Sequence, residues 1–220
     1  MRTMYDSITA ADIPTDCDLV AGYIDGGYKW PESWWTRFPG KVKVRVAVLA
    51  STNDGHVLDV ETGDATPDQA PDWVARRRRA GADPTIYCNL SNMGAIMDAF
   101  NAAGVARPHL WLAHYDGDAT LPAGYVAKQY ADAAMTGGHY DASVVADFWP
   151  GVDMDRAQYA AEIEPFVKET ILSQLLHDPE TISATTNIAT SDRAVIVGGT
   201  KLTEVVQGAL AAEAAKIPAP

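Results

Sequence analysis

The chain has little cysteine, no long apolar run and a shortage of cations. Cys17 and Cys88 are the two cysteines among 220 residues, and they lie too far apart in sequence for a metal-binding knuckle. A chain of this size does not need a disulfide framework, so we expect two free thiols. No stretch approaches the roughly 20 apolar residues of a membrane span. The sequence therefore predicts no membrane-spanning segment.

The shortage of cations limits the choice of partners. Asp and Glu outnumber Lys and Arg by 29 to 17, which gives a formal net charge of −12. The main basic run, Arg76-Arg77-Arg78-Arg79, follows Trp73-Val74-Ala75 and is typical of the solvated last turn of a helix, where cations complement the helix dipole. A surface that tracks phosphates is not expected, so nucleic acid is not an expected partner.

Residues 1–6 lack the apolar core of a signal peptide and lead directly into strand-like sequence. If the target lies outside the cytoplasm, another component must therefore deliver the protein. The composition, with 47% hydrophobic and 21% charged residues, predicts a folded protein. Its length predicts one substantial domain with an appendage.

Short apolar or alternating runs dominate the first two-thirds of the chain. Eight of them predict strands, the number expected of a closed (β/α) barrel; they lie at 3–8, 19–25, 42–49, 57–61, 85–89, 110–115, 125–130 and 140–145. Helical patterns are fewer, at 32–38, 67–80 and 91–103, the last with Ser91 as the N-cap and Gly104 after its end.

The connections between the last three strands, around 116–119 and 135–138, are too short or too rich in glycine for full helices. We therefore predict an α/β fold in residues 1–150: an irregular TIM-like (β/α) barrel that lacks helices between its last strands. A doubly wound open sheet is the structural alternative, but no Gly-rich phosphate turn follows a strand.

Residues 151–220 have a different, Ala-, Glu- and Thr-rich composition. They contain an amphipathic helical pattern at 164–177, strand candidates at 181–188 and 194–197, and an Ala-rich helical pattern at 201–216. A segment with so few aromatic residues buries little surface alone. We expect a mostly helical extension that packs on the barrel, on its own copies or on another protein.

The sharpest local signal for chemistry is Val57-Leu58-Asp59-Val60-Glu61. On a strand, alternation sends Asp59 and Glu61 to one face with Cα atoms roughly 6.5–7 Å apart. Repulsion and desolvation then raise the pKa of one carboxyl group, leaving the acid and the base that glycosidic cleavage requires. Taken alone, such a pair is more often structural, with Asp59 accepting loop hydrogen bonds and Glu61 exposed.

Two further acids favour the catalytic interpretation. Asp6 lies towards the end of the first predicted strand, and Asp141 lies in the last predicted strand. In a closed barrel the first and last strands are neighbours, so both acids can converge with Asp59 and Glu61. The four residues together predict a catalytic site that acts on a polysaccharide.

This arrangement resembles the family 25 glycoside hydrolases, the Chalaropsis-type lysozymes, and the related glycoside-hydrolase-like domains of actinobacteria and their phages. The resemblance covers about residues 1–150 and rests on Asp6, 58–61, 85–89, 110–115, 129–130 and 140–141. It implies an irregular barrel and muramidase activity, the hydrolysis of the β-1,4 bond after N-acetylmuramic acid in peptidoglycan. The chain departs from the family at Ser7-Ile8 and at Lys128, where the family has Val-Ser and Trp.

The resemblance also implies roles for the acids. Glu61 corresponds to the general acid, Asp59 to a partner that positions or stabilises the participating group of the substrate, and Asp6 and Asp141 to the rest of an acidic floor. Family members are thought to retain configuration, with the substrate's N-acetyl group as one candidate nucleophile, so no protein nucleophile is assigned. The protein would reach the cell wall through a phage lysis system or as part of a virion.

Aromatic side chains supply the other half of a sugar site, because their faces pack against the C–H face of a pyranose. The candidates for substrate binding are Tyr87, Trp111, Tyr115, Gln129, Tyr130 and Trp30. Trp111 is equally a candidate for the core. In the aromatic patch at 28–35, we expect Trp30 to be exposed and Trp34 or Trp35 to be buried.

Other functions are weaker alternatives. His114 and His139, near Asp116 and Asp141, could belong to a divalent metal site of a hydrolase or deacetylase, but no paired-ligand spacing is present, and no metal or other cofactor is expected. The absence of Gly-x-Ser-x-Gly argues against an esterase. A different class is a non-catalytic virion structural or glycan-binding protein, which keeps the barrel as a scaffold and assembles through residues 151–220.

Overall fold

A computed structural model describes residues 1–153 and the backbone of 196–197 and 200–201. The chain divides into two compact units, Met1–Arg156 and Ala157–Pro220. The first unit contains all four acids of the predicted site.

Eight strands of the first unit form a closed barrel in chain order. Strands β1 to β7 run parallel to one another, whereas β8 is antiparallel to both β7 and β1. The strands are β1 (Arg2–Asp6), β2 (Leu19–Tyr23), β3 (Val42–Ala47), β4 (Val57–Asp59), β5 (Thr85–Asn89), β6 (His109–Ala113), β7 (Ala127–Ala131) and β8 (Asp141–Val145). The predicted number and positions of the strands are confirmed, and the reversed direction of β8 is an addition from the structure.

Helices are few in residues 1–153. They are α1 (Glu32–Trp35), α2 (Ala70–Arg79), α3 (Met93–Ala103), α4 (Ala133–Thr136) and a 3-10 turn at Ala10–Asp12. The β6–β7 connection has no helix and the β7–β8 connection has only α4, as predicted. The β3–β4 connection also lacks a helix, and the helix predicted at 32–38 is a single turn, so the barrel is less helical than expected. No helix in this part of the chain is long and apolar enough to cross a membrane.

Helix α3 starts and ends through different local interactions. Its N-cap is Asn92 rather than Ser91, because the Ser91 hydroxyl donates to Oδ1 of Asn89 at 2.6 Å instead. Gly104 ends the helix in the left-handed conformation, with φ of 62°, where glycine has no Cβ penalty.

Strand alternation separates two apolar layers. Met4, Leu19, Val44 and Trp111 are among the side chains that fill the barrel, and Trp149 closes one end of it with its indole N–H donating to Thr85 Oγ1 at 2.8 Å. The outer layer lies between the strands and helices, and includes Val20, Leu58, Trp73, Ile86, Phe100 and both cysteines. Cys17 and Cys88 are free thiols, as expected, and both are buried.

The predicted exposure of Trp30 is wrong. This side chain is 2% exposed and packs in the outer layer, where its ring lies 4.7 Å from that of Trp35. Its indole N–H donates to the Ser7 carbonyl at 3.1 Å. Gly22 in β2 provides the space, because a Cβ atom there would lie 2.6 Å from the indole. Trp35 is buried, as expected, and Trp34 is half-buried.

The arginine run occupies the last turn of α2, as predicted, but it is not simply solvated. Three of its side chains donate to backbone carbonyls of neighbouring connections, so the run ties α2 to the β3–β4 and α3–β6 loops. Arg76 donates to Ala50, Arg77 to Asn53 and Gly55, and Arg78 to Ala106 and Arg107.

The second unit is described only at two short strands. Ile196–Val197 (β9), within the strand candidate at 194–197, pairs antiparallel with Thr200–Lys201 (β10). Lys201 therefore does not begin a helix as predicted. The predicted elements at 164–177 and 181–188, and the rest of the helix predicted at 201–216, lie outside the described residues.

We predict that Gly22→Ala destabilises the fold. The added methyl group overlaps the Trp30 indole, and overpacking of this kind costs about 1–3 kcal/mol. Urea unfolding monitored by tryptophan fluorescence measures the change. Gly27→Ala is the matched control, because nothing lies within 4 Å of a Cβ atom at that position. Equal stability of the two variants would contradict the packing described for Trp30.

Candidate active site

The four predicted catalytic acids lie at one end of the barrel, the mouth, where β1 to β7 end and β8 begins. Asp6 is the last residue of β1 and pairs in register with Asp141, the first residue of β8. Asp59 is the last residue of β4. Glu61 lies two residues beyond it, after Val60, whose N–H continues the ladder by donating to the Tyr87 carbonyl at 2.9 Å. Because β8 is reversed, its first residue joins the carboxyl ends of the other strands.

Gln129 in β7 connects the acids to the aromatic residues of the mouth. Its Nε2 donates to Oδ1 and Oδ2 of Asp6 at 2.9 and 3.0 Å, and to Oδ2 of Asp141 at 3.1 Å. Its Oε1 accepts from the hydroxyl groups of Tyr87 at 2.6 Å and Tyr115 at 3.0 Å. The side chain is 1% exposed, so these contacts replace hydration of the amide.

The chemistry of these partners fixes the orientation of the Gln129 amide. A flipped amide would direct its oxygen at two carboxyl groups and its NH₂ at two hydroxyl groups. The observed orientation gives the carboxylates the donors that they need. It also holds Asp6 and Asp141 at a common donor. Burial, and after it the nearby charge of Asp141, raise the pKa of Asp6.

Asp59 is the least exposed of the four acids, and it adjoins a small cavity. It is 4% exposed, and its Oδ1 has no hydrogen-bond partner. The adjoining cavity has a volume of about 10 Å³ and is lined by Asp6, Ala21, Gly22, Tyr23, Val46, Asp59, Tyr87 and Trp111, which is room for about one water molecule. An unpaired buried carboxylate oxygen costs free energy. A ligand that donates a hydrogen bond to Oδ1 of Asp59 would remove this cost.

Glu61 lies closer to solvent than Asp59 and is half-buried. Its carboxyl group accepts hydrogen bonds from the side chain and backbone of Asn89. Oδ1 of Asn89 accepts from the Ser91 hydroxyl and from the Asn92 N–H, which turns the Asn89 NH₂ away from these donors. Asn89 is a site residue that the sequence prediction missed. Its position at the end of β5, next to β4, is the signal that could have revealed it.

Tyr23 is a second missed residue, at the end of β2. It lines the small cavity and also a larger groove of about 330 Å³ on the β1 and β8 side of the mouth. The other residues lining the groove are Asp6, Ser7, Ile8, Thr9, Asp12, Ala133, His139 and Asp141. Burial and the neighbouring charges of Asp6 and Asp59 raise the pKa of the Tyr23 hydroxyl. The phenol is therefore a neutral hydrogen-bonding group at the centre of the mouth.

The carboxyl groups of the mouth have no cationic partner within residues 1–153. Within residues 1–153, no ion pair joins Asp6, Asp59, Glu61 or Asp141 to a cation. Burial is the main cause that raises the pKa of all four acids, and neighbouring carboxylates raise it further. For Asp141 the pKa rises to about 6. The cluster thus holds protons at a pH where ordinary carboxylates have lost them.

The candidate aromatic residues occupy different environments. Tyr115 is 44% exposed at the mouth, whereas Tyr87 is buried beneath it in the Gln129 network. Trp111 is 2% exposed and lines the small cavity, with its indole N–H donating to Ser143 Oγ at 3.1 Å. Trp30 is in the outer layer rather than at the mouth, and Tyr130, which follows Gln129 in β7, is half-buried.

Lys128 faces away from the cluster and is 3% exposed. Its ammonium group donates to both carboxylate oxygens of Asp116 at 2.9 Å and to the Asp118 carbonyl at 2.8 Å. Asp116 also pairs with His114. These contacts hold the start of the β6–β7 connection, which carries Tyr115. Lys128 and Gln129 therefore fix this loop from the two faces of β7.

Of the two histidines of the metal alternative, His114 pairs through its ring with one carboxylate, and His139 has a contact through its backbone. His114 Nδ1 lies 3.1 Å from Asp116 Oδ2, and the His139 carbonyl accepts from the Ser7 hydroxyl at 2.7 Å. No group of three or more His, Cys, Asp or Glu residues in the described part of the chain has an arrangement that could hold a metal ion. The clustered polar groups of the mouth are carboxyl, amide and phenol groups.

We predict that Asp141→Asn gains stability over the wild type as the pH rises. The folded-state pKa of Asp141 lies above its ordinary value, so its contribution to stability is present at low pH and is lost as the pH rises through about 6. The gain at pH 8 should be only about 1 kcal/mol, because solvent screening reduces the effect for this half-buried group. The gain should vanish near pH 4. Thermal unfolding at both pH values measures it, with the exposed Asp98→Asn as control. A destabilised variant at pH 8 would contradict the repulsion inferred here.

Comparisons with known proteins identify no relative. No family model matches the chain, and no curated protein or solved structure matches it.

Proposed function

We propose that this protein is a glycoside hydrolase that cleaves peptidoglycan as a muramidase. The observation that carries the proposal is the meeting of Asp6, Asp59, Glu61 and Asp141 at one barrel mouth without a compensating cation. Glycosidic cleavage needs a protonated carboxyl group to protonate the leaving oxygen and negative charge to stabilise the positively charged sugar. A cluster in which burial and repulsion raise pKa values supplies both.

Glu61 is the proposed general acid. It is the partly accessible member of the Asp59–Glu61 pair, so it can reach a glycosidic oxygen at the mouth. Burial raises its pKa, which keeps the proton available nearer to neutral pH. Asn89 holds the carboxyl group in position through its hydrogen bonds.

Asp59 is the proposed partner of the substrate's acetamido group. Its unpaired Oδ1 is an acceptor that suits an amide N–H, and in its ionised form Asp59 would stabilise positive charge that develops on that group. Asp6 and Asp141, held by Gln129, form the rest of the acidic floor and favour positive charge at the sugar.

The strand arrangement supports an irregular TIM-like barrel for this catalytic unit. Seven parallel strands precede the reversed β8, and the acids lie at their carboxyl ends, where TIM-barrel enzymes bind substrate. The helix-poor connections beside β7 agree with the resemblance to family 25. No cofactor is part of the proposed chemistry.

A second candidate function is glycan binding without hydrolysis, as in a virion component. The observation that favours it is the enclosure of Asp59 beside a cavity of about 10 Å³, which leaves little room for an acetamido group unless the mouth opens. In that case residues 151–220 would serve assembly, which stays a prediction.

We predict that Glu61→Gln abolishes release of reducing ends from purified peptidoglycan. Loss of a general acid lowers kcat by about 10²- to 10⁴-fold, while the fold is retained because Gln preserves the size of the side chain. Glu32→Gln, at an exposed position in α1, is the matched control and should keep full activity.

Equal activity of Glu61→Gln and the wild type would overturn the role given to Glu61. A wild-type protein that sediments with peptidoglycan but releases no reducing ends would instead favour the second candidate function.

We predict that muramidase activity rises with ionic strength. Both the protein, with a net charge of −12, and the carboxylate-bearing cell wall are anionic, so their association is opposed at low salt. Screening shortens the Debye length from about 30 Å at 0.01 M to about 8 Å at 0.15 M. kcat/KM measured across this range should increase. A steep decrease would indicate a cationic binding surface, against this account.

A further inference from the structure

The exposed large apolar side chains of the described residues are concentrated at the mouth. Six of the eight follow strand ends there, each in a different connection, while the other two lie at the opposite end of the barrel. The six are Ile8, Tyr28, Leu49, Leu90, Tyr115 and Met135, and the other two are Met1 and Phe148. A concentration of apolar surface around polar groups is typical of a binding site.

Tyr28 is the most exposed aromatic residue of this rim, with 60% of its surface accessible. Its ring centroid lies 6.4 Å from that of Tyr23, and Tyr23 lines both the small cavity and the groove beside the acids. Gly26, with φ of 69°, makes the turn before Tyr28, and the buried Trp30 anchors the chain after it. The loop thus presents the Tyr28 ring to solvent at the edge of the mouth.

Tyr115 is the other exposed aromatic residue of the rim. Its hydroxyl donates to Gln129 Oε1, and 44% of its surface remains accessible. Lys128 holds the adjoining Asp116 from the other face of β7. The ring therefore has a fixed position and an exposed surface.

Strand order gives the relative positions of these rings. In the closed eight-stranded barrel, β2 and β6 are four strands apart in both directions, and so are β4 and β8. Tyr28 follows β2 and Tyr115 follows β6, so the two rings lie on opposite sides of the mouth. A line between them crosses the line that joins Glu61, after β4, to Asp141 in β8.

We propose that Tyr28 and Tyr115 bind sugars on opposite sides of the scissile bond, so that an extended glycan crosses the mouth from β2 to β6 past Glu61. This inference rests on the proposed function and adds Tyr28 as a substrate-binding residue. The pyranose C–H face packs well against an aromatic ring, and a sugar ring without charge is not repelled by the carboxylates. Binding on both sides of the bond predicts cleavage within long chains rather than from their ends.

The test uses Tyr28→Ala and Tyr115→Ala in the full-length protein. Loss of one stacking ring should raise KM about three- to tenfold, with a smaller effect on kcat, and should shift early products toward chain ends. In a Glu61→Gln background, both substitutions should weaken binding to soluble glycan oligomers by a similar factor. Tyr28→Phe, which retains the ring, should weaken binding less than Tyr28→Ala does. Phe148→Ala, an aromatic substitution of similar exposure at the opposite end, is the matched control.

The outcomes separate the two proposals. Weakened glycan binding in Tyr28→Ala without hydrolysis by the wild type would support the binding path and contradict the muramidase activity. Hydrolysis with unchanged KM and unchanged binding in Tyr28→Ala would overturn the binding path and leave the muramidase activity standing. If the wild type neither binds nor cleaves glycan, both proposals fail.

Discussion

The Gln129 carboxamide is the interaction on which the mouth depends. Its NH₂ group donates to Asp6 of the first strand and Asp141 of the last. Its oxygen accepts from the hydroxyl groups of Tyr87 and Tyr115. One buried side chain thus joins the strands that close the barrel to the aromatic wall of the site. Both carboxyl groups would repel each other across the β1–β8 pair without this shared donor, so barrel closure and the acidic cluster are parts of one arrangement.

The two ends of the barrel contribute differently to stability. At the mouth, carboxyl groups are collected without cations, which disfavours folding at neutral pH. At the other end, Trp149 closes the interior and donates a hydrogen bond to Thr85. Arg2 forms a two-pronged salt bridge with Asp153, with both N···O distances at 2.7 Å. Arg76 and its neighbours bind loop carbonyls on the outside. Apolar packing and satisfied polar contacts away from the mouth therefore offset a destabilising site, as stability and function commonly compete.

The parts of the fold that depend on local patterns were predictable from the sequence. Alternation identifies strands because the two faces of each strand meet different layers, and it placed Asp6, Asp59 and Asp141 in strands of the barrel. The direction of β8 was not predictable, since it depends on how the connection after β7 returns. The burial of Trp30 was missed because it depends on how the loop after β2 folds back, so that the indole packs against Gly22. The roles of Gln129 and Asn89 depend on register between strands, which single-strand patterns do not contain.

The mouth collects carboxyl groups that keep their protons to a higher pH than ordinary carboxyl groups do. Carbon-13 NMR titration of the side-chain carboxyl groups tests it most directly. The account predicts that Asp141 titrates at about 6 and that Asp6, Asp59 and Glu61 titrate above their ordinary values. Titration of all four groups near their ordinary values of about 4 would contradict it.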